Sequence, residues 1–261
     1  MIQSMTGYGK SVLQLPTKKV TIEIKSLNSK NLDLNVRIPS YYKEKELSVR
    51  KKLASALVRG KVDFSIFVEM GSATDVELLK MAIRMPDALK AEREEFDENE
   101  WNTISQNIDI AIQEIIQYRV DEAASLEIDF KERITNIRTY LEEVKALDGD
   151  RVENVKTRLK KAIDDLKVDT DENRFEQELI YYLEKLDINE EKVRLANHLD
   201  YFLLTLSSEA SNGKKLGFIV QEMGREINTT GSKANFAPMQ KAVIQMKNEL
   251  EQIKEQILNV L

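Results

Sequence analysis

A change of hydrophobic period divides this chain more sharply than any motif does. Up to about residue 70 apolar residues alternate with polar ones; beyond about residue 76 they recur three and four apart. In VTIEIKSLNSKNLDLNVRIP, Val20, Ile22 and Ile24, then Leu32, Leu34, Val36 and Ile38, mark two strands separated by the polar break Ser29–Asn31. They are joined as a hairpin or a short crossover. Pro39 ends the second strand, because it has no N–H to give to a ladder. The spacing of Leu47, Leu53, Ala54 and Leu57 predicts a helix over about 42–57. Arg59-Gly60-Lys61 then turns into a third strand, VDFSIFVEM, and SMTGYGKSVLQL supplies another. The expected fold class is α+β. A small sheet-plus-helix domain occupies 1–75, a helical middle region 76–168 and a mainly helical C-terminal domain 169–261.

The helical part is punctuated by polar breaks. Ile104, Ile108, Ile112, Ile115 and Ile116, then Ile134, Ile137, Leu141 and Val144, form apolar stripes with charged residues opposite. Breaks are predicted at Asp148-Gly149-Asp150, Val168–Asp171 and Ser211-Asn212-Gly213. A helix starts near Asp187–Asn189. The last one carries Val243, Met246, Leu250, Ile253 and Ile257 on one stripe, as core or as a seam between copies of the chain. At 70–76 a strand runs abruptly through Gly71 into a helix, as if a segment were missing.

Composition removes several kinds of chemistry. The 261 residues suffice for a sizeable core. Without cysteine there is no disulfide framework, thiol nucleophile or thiolate metal site. One histidine, His198, cannot support a Ser-His-Asp or Cys-His arrangement with confidence, and no GxGxxG, P-loop or HExxH pattern is present. No apolar run is long enough to span a bilayer, and the start lacks a signal-peptide core, so a cytoplasmic protein that does not cross a membrane is expected. A net charge of −6 argues against a globally basic nucleic-acid surface but permits a local basic groove.

Carboxylate chemistry stays open in QEMGREINTTGSKAN, residues 221–235. Glu222 and Glu226 stand one helical turn apart and could share a hard cation such as Mg²⁺ or Mn²⁺. Arg225 projects about 60° from their line, and its fork suits phosphate oxygens. The following turn, Asn228–Lys233, offers hydroxyls, N–H groups and a cation to a phosphate. Spacing alone equally describes a solvated, charged helix end. His198 sits one turn after Arg194, where a histidine packed between helices is the simplest reading. Arg59 and Lys61 form a basic turn. Lys214 and Lys215 open a helix, where the dipole disfavours cations, so an anionic partner is suggested there.

Several stretches carry a family resemblance. MIQSMTGYGK, EIKSLNSKNLDLNVRIP and LVRGKVDFSI resemble the N-terminal region of the YicC/YloC endoribonucleases. RFEQELIYYLEKLDINEEKVRLANHLDYF and GKKLGFIVQEMGREINTTGSKAN resemble their C-terminal domain. The resemblance implies a stress-associated bacterial enzyme that cuts RNA with a divalent metal, Mn²⁺ or Mg²⁺, and assembles as a hexamer. The matching polar set is Asp187, Glu190, Glu191, Arg194 and His198, then Gln221, Glu222, Arg225, Glu226, Asn228, Ser232, Lys233 and Asn235. Gly217 and Gly224 stand where the family commonly has aspartate and asparagine, Phe236-Ala237-Pro238 replaces a helix-friendly acidic segment, and the chain is short for the family.

On chemical grounds, Glu222, Glu226, Asp187 and His198 are the expected metal ligands, and Glu222, Glu226, Arg225 and His198 the catalytic set. Arg194, Lys233, Asn235, Arg59, Lys61, Lys214 and Lys215 are the expected RNA contacts. Two other readings are an RNA-binding adaptor that delivers transcripts to a separate nuclease, and an assembly protein that uses the C-terminal stripe as its seam.

Overall fold

The computed structural model of the chain describes residues 2–16, 18–70, 97–166, 172–208 and 213–261. They fall into two compact units, one of residues 3–123 together with Leu261 and one chiefly of residues 124–260. The fold is α+β. The expected junction at 71–76 and the breaks at 168–171 and 211–212 lie outside the described residues.

The first unit holds strands β1 (Gly7–Gln14), β2 (Lys18–Leu27), β3 (Leu32–Arg37) and β4 (Gly60–Met70), in the order β1-β2-β4-β3. β1 and β4 run antiparallel to β2, and β3 runs parallel to β4. The two runs in VTIEIKSLNSKNLDLNVRIP therefore do not pair as a hairpin: β4 lies between them. Between β3 and β4 come a 3-10 turn (Ser40–Lys45) and α1 (Glu46–Ala56). Leu47, expected on the apolar face, is 65% exposed, whereas Val49, Leu53 and Leu57 are buried. These three repeat every four residues; Leu47, two positions before Val49, points away from that face.

Alternation gives the sheet one apolar face. Val20, Ile22, Ile24, Val62, Phe64 and Ile66 form a buried cluster with Val49 and Leu53 of α1 and with Trp101, Ile104, Ile108, Ile112 and Ile115 of α2 (Glu98–Leu166). Each fully buried branched side chain stabilises the fold by about 1.5–3 kcal/mol. α2 lies directly on β1, where only glycine leaves room. A Cβ on Gly9 would stand 2.2 Å from the Ala111 carbonyl oxygen and 2.9 Å from the Ile115 nitrogen, and one on Gly7 2.8 Å from Ile115 Cγ1. The obstacle at Gly9 is backbone, so no rotamer change relieves it. Gly9→Ala is expected to cost roughly 1–3 kcal/mol or more, read as a lower urea midpoint; an unchanged midpoint would show that β1 and α2 can part freely.

The second unit is helical: the remainder of α2, α3 (Glu172–Lys185), α4 (Asn189–Leu206), α5 (Gly213–Lys233) and α6 (Ala237–Ile257). No break interrupts α2 at Asp148-Gly149-Asp150. The Asp148 carboxylate, which would have capped a new helix, instead accepts hydrogen bonds from Arg151 Nε (2.8 Å) and Lys192 Nζ (2.6 Å). Glycine costs a helix about 1 kcal/mol, less than the packing of Ile134, Ile137, Leu141, Val144 and Val155, all buried along the same helix. Phe130 of α2 meets Phe202 of α4 edge to face at 5.9 Å. The C-terminal stripe is core: Val243, Met246, Leu250, Ile253 and Ile257 are all buried within the chain, so it is not a seam between copies. No helix among the described residues is long and apolar enough to cross a membrane.

Candidate active site on a helical hairpin

α4 and α5 pack against each other as neighbours in the chain, and their ion pairs set the direction. Lys233 Nζ donates to Glu191 Oε1 at 2.7 Å and to the Asp187 carbonyl at 2.8 Å. Arg194 NH1 lies 3.9 Å from Glu226 Oε1, and Lys215 Nζ lies 4.8 Å from the centre of the Tyr201 ring. Moving forward along α4 through Glu191, Arg194 and Tyr201 moves backward along α5 through Lys233, Glu226 and Lys215, so the helices are antiparallel. Both sets are spaced to fall on one flank of their helix. Glu222 falls on the level of His198 in the same register. Both are half-buried, and neither has a hydrogen bond or ion pair among the described residues.

Two carboxylates occupy positions that helical spacing assigns to the core. On α4 the stripe runs Ile188, Glu191, Leu195, Leu199, Phe202; on α5 it runs Ile219, Met223, Glu226, Thr230. All of these are buried, Glu191 at 6% and Glu226 at 5% exposure. Burying a carboxylate is costly unless a charge or hydrogen bonds compensate it. Lys233 compensates one oxygen of Glu191, but Glu191 Oε2 is buried without a partner among the described residues. Arg194 stands beyond hydrogen-bonding distance from Glu226 and also pairs with Glu190. Sequence spacing points to Glu226 through Glu222; Glu191 belongs to the matching polar set but not to the expected ligands or catalytic residues. Its signal was available: a glutamate at an apolar-stripe position.

The entry to α4 is held by two cations. Arg151, whose side chain is 3% exposed, donates through NH1 to the Leu186 carbonyl at 3.0 Å while its other nitrogens meet Asp148. Lys233 takes the next carbonyl, that of Asp187. The Asp187 side chain is exposed and accepts from the Asn189 backbone and side-chain nitrogens.

The expected residues are thus partly gathered. Glu222, Glu226, His198 and Arg194 fall on neighbouring levels of the hairpin. Asp187 lies at the Lys233 end, eleven residues along α5 from Glu222, or about 16 Å of helix rise; those two do not share one ion. Arg225 is exposed on the outer flank of α5, and Asn235 is exposed beyond its end. Lys214 is exposed and Lys215 sits against Tyr201. Arg59 and Lys61 belong to the first unit, where Arg59 Nε donates to the Ser29 carbonyl at 2.8 Å.

The Asn228–Lys233 segment is helix rather than a phosphate-gripping turn. Its hydroxyls turn back on the helix: Thr230 Oγ1 donates to the Glu226 carbonyl and Ser232 Oγ to the Thr229 carbonyl, both at 2.9 Å. Gly231 serves close packing, since a Cβ there would stand 3.0 Å from Val243 Cγ1 of α6.

The chain is similar to known proteins along its whole length. A family profile described as "Endoribonuclease YicC-like, C-terminal" matches residues 144–261, and one described as "Endoribonuclease YicC-like, N-terminal region" matches residues 2–80. A protein of Clostridioides difficile (strain 630) named "Probable endoribonuclease YicC" is 30% identical over an alignment of 292 positions that covers both chains completely. A protein of Haemophilus influenzae Rd with the same name is 26% identical, again over the full length of both. The chain belongs to the YicC-like endoribonuclease family. The alignment with the first relative is longer than the 261 residues here, so that relative carries residues without a counterpart, in line with the short length expected.

Within this YicC-like chain the departures have physical reasons or none. Gly224 is buried where α6 passes, and a Cβ would stand 3.2 Å from Leu250 Cδ2. Phe236 caps α6, with proline in its first turn, and Gln240 Nε2 closes the end of α5 by donating to the Gly231 carbonyl at 2.6 Å and the Ala234 carbonyl at 2.5 Å. Nothing in the structure explains Gly217, where a Cβ would meet nothing within 4 Å.

Two carboxylates of this flank keep acceptor capacity. Glu191 Oε2 has no donor among the described residues, and Glu226 no close one. Among the described residues no group of three or more His, Cys, Asp or Glu is placed to hold a metal. An ion of the Mg²⁺ type is commonly held by one or two carboxylates, with water and substrate phosphate completing its shell.

Proposed function

We propose that this chain is a cytoplasmic endoribonuclease that hydrolyses phosphodiester bonds of single-stranded or structured RNA, and that the α4–α5 flank is its active centre. The observation that carries the reading is the pair of buried, incompletely compensated carboxylates, Glu191 and Glu226, within the segment matched by the C-terminal endoribonuclease profile. The names of the two relatives supply the substrate class.

Glu226 and Glu222 would hold Mn²⁺ or Mg²⁺, with Glu191 one turn before Arg194 on α4. Such an ion would lower the pKa of a bound water and offset charge on the scissile phosphate. Arg194, about half exposed beside Glu226, offers its fork to the non-bridging oxygens. Lys233 fixes Glu191 and the start of α4 through the bonds described above. His198, level with Glu222 in the helix register, would carry a proton to or from the reacting oxygens. Arg225, Lys214 and Asn235 would meet RNA from the outer surface, and Arg59 and Lys61 would guide the strand.

The test is incubation of purified chain with single-stranded RNA, with Mn²⁺ or with chelator. Cutting that requires the metal and leaves 5′-phosphate and 3′-hydroxyl ends is expected. A 2′,3′-cyclic phosphate end would overturn the hydrolytic step, because it marks attack by the RNA's own 2′-hydroxyl. RNA binding with no metal-dependent cutting would instead favour an adaptor.

The hexamer implied by the family resemblance has a different surface available. In α3, no side chain whose placement is described is buried, and Ile180 and Tyr181 are 57% and 55% exposed. Charge introduced there, as in Ile180→Lys, is expected to lower the particle mass in light scattering; unchanged mass would exclude α3 from the subunit contact.

A further inference from the structure

The carboxylate flank does not end at Glu222. Seven residues earlier on α5, about 10 Å along the helix, Lys215 lies against the ring of Tyr201, with its ammonium 4.8 Å from the ring centre. Tyr201 is nevertheless 44% exposed, and Phe218, one turn after Lys215 and one before Glu222, is 62% exposed. About half of the surface of these two aromatic side chains therefore stays open to water, where it contributes nothing to the core. Lys214, also exposed, adds a second cation beside them.

We infer that Tyr201 and Phe218, with Lys215 between them, form a base-stacking subsite for single-stranded RNA that leads into the carboxylate centre. This rests on the endoribonuclease reading given above. Three observations select nucleic acid as the occupant. Both aromatic side chains are in large part open to solvent, and bases stack on aromatic faces whatever their sequence. The lysine that touches one ring carries the charge that a neighbouring phosphate needs. Tyr201 shares the face of α4 that carries Arg194 and His198, and Phe218 lies one turn before Glu222, so both rings adjoin the residues proposed to act on a phosphodiester. A base held at Tyr201 would place the following backbone along Phe218 towards Glu222 and Arg194. Duplex RNA, whose bases are already stacked, would not use it.

The test uses the full chain and a short oligoadenylate containing the fluorescent base 2-aminopurine, in chelator so that nothing is cut. Tyr201→Leu is expected to weaken binding about tenfold, within the range found for single stacking rings, and to remove the fluorescence quenching that stacking causes. Tyr201→Phe should keep both. Phe218→Leu, at the more exposed position, should lose part of each, and Lys215→Gln should flatten the salt dependence by about one phosphate contact. Wild-type affinity and quenching in both leucine variants would overturn the inference. So would a leucine variant that changes particle mass but not RNA affinity, since the patch would then belong to a second copy of the chain. Equal weakening for single-stranded and duplex RNA would overturn stacking as well. A wild-type chain that stacks the probe yet never cuts RNA in Mn²⁺ would sink the nuclease reading and leave the subsite standing.

Discussion

Glu226→Gln combined with Glu222→Gln is expected to reduce metal-dependent RNA cleavage on the order of 100-fold or more, the scale set by losing acid–base or electrostatic groups at a reacting centre. Glutamine keeps the shape of each side chain and removes the charge. At Glu226, which is 5% exposed, the single change removes a buried carboxylate whose nearest cation is Arg194. Arg194 retains Glu190, so no buried charge is orphaned and the fold should survive. Calorimetric titration with Mn²⁺ gives a readout independent of cutting: the double variant should lose the heat of binding. Full metal-stimulated cleavage by the double variant would remove this flank from the mechanism. Glu191→Gln should act in the same direction while also releasing Lys233.

Asp148→Asn is expected to lower the free energy of unfolding by about 3 kcal/mol near neutral pH, the lower end of the cost of breaking a buried ion pair. Asp148 is 17% exposed in its side chain, but Arg151 and Lys192, which both bind it, are only 3% and 12% exposed. Asparagine keeps one acceptor oxygen for Arg151 but leaves the buried guanidinium without a counter-charge, and it turns the other oxygen, which Lys192 binds, into an NH2 donor. Burial by itself would raise the Asp148 pKa; the hydrogen bonds and charges of Lys192 and Arg151 outweigh it, and the carboxyl lies below its ordinary value of 3.8. A carboxyl whose folded pKa is depressed contributes its stability above the unfolded pKa and loses it as pH falls through the folded one. The wild-type advantage over Asp148→Asn should therefore be complete at neutral pH and shrink below about pH 4. Urea unfolding at the two pH values measures it, and a difference that stays constant into acid would show that the carboxylate's charge is not the cause.

How much could be read in advance follows from which forces are local. Strand alternation in β2 and β4 and the three-four spacing in α4, α5 and α6 are direct records of which face is buried, so the elements were legible. The course of β4 between β2 and β3 was not, because register and strand order depend on partners far along the chain. Asp148-Gly149-Asp150 misled for a related reason. Its local preference is for a break, and its actual partners, Arg151 and Lys192, draw the aspartate into the interior instead. The polar run after Glu226 reads as a turn by composition; in the structure it continues the helix, with Ile227 and Thr230 buried and Gly231 leaving room for Val243.

The same division applies to the site. By itself the sequence determined its inventory: no thiol, one histidine, two glutamates a turn apart, and motifs at both ends that place the chain among the YicC-like endoribonucleases. Only the tertiary structure decided which charges belong together. Antiparallel packing of α4 on α5 sets Lys233 on Glu191, Arg194 beside Glu226 and Lys215 against Tyr201, and it leaves Asp187 at the far end. It also gives two glutamates core positions with less compensation than a buried charge requires. That shortfall depends on distance and burial, which arise between helices and are written in neither helix alone.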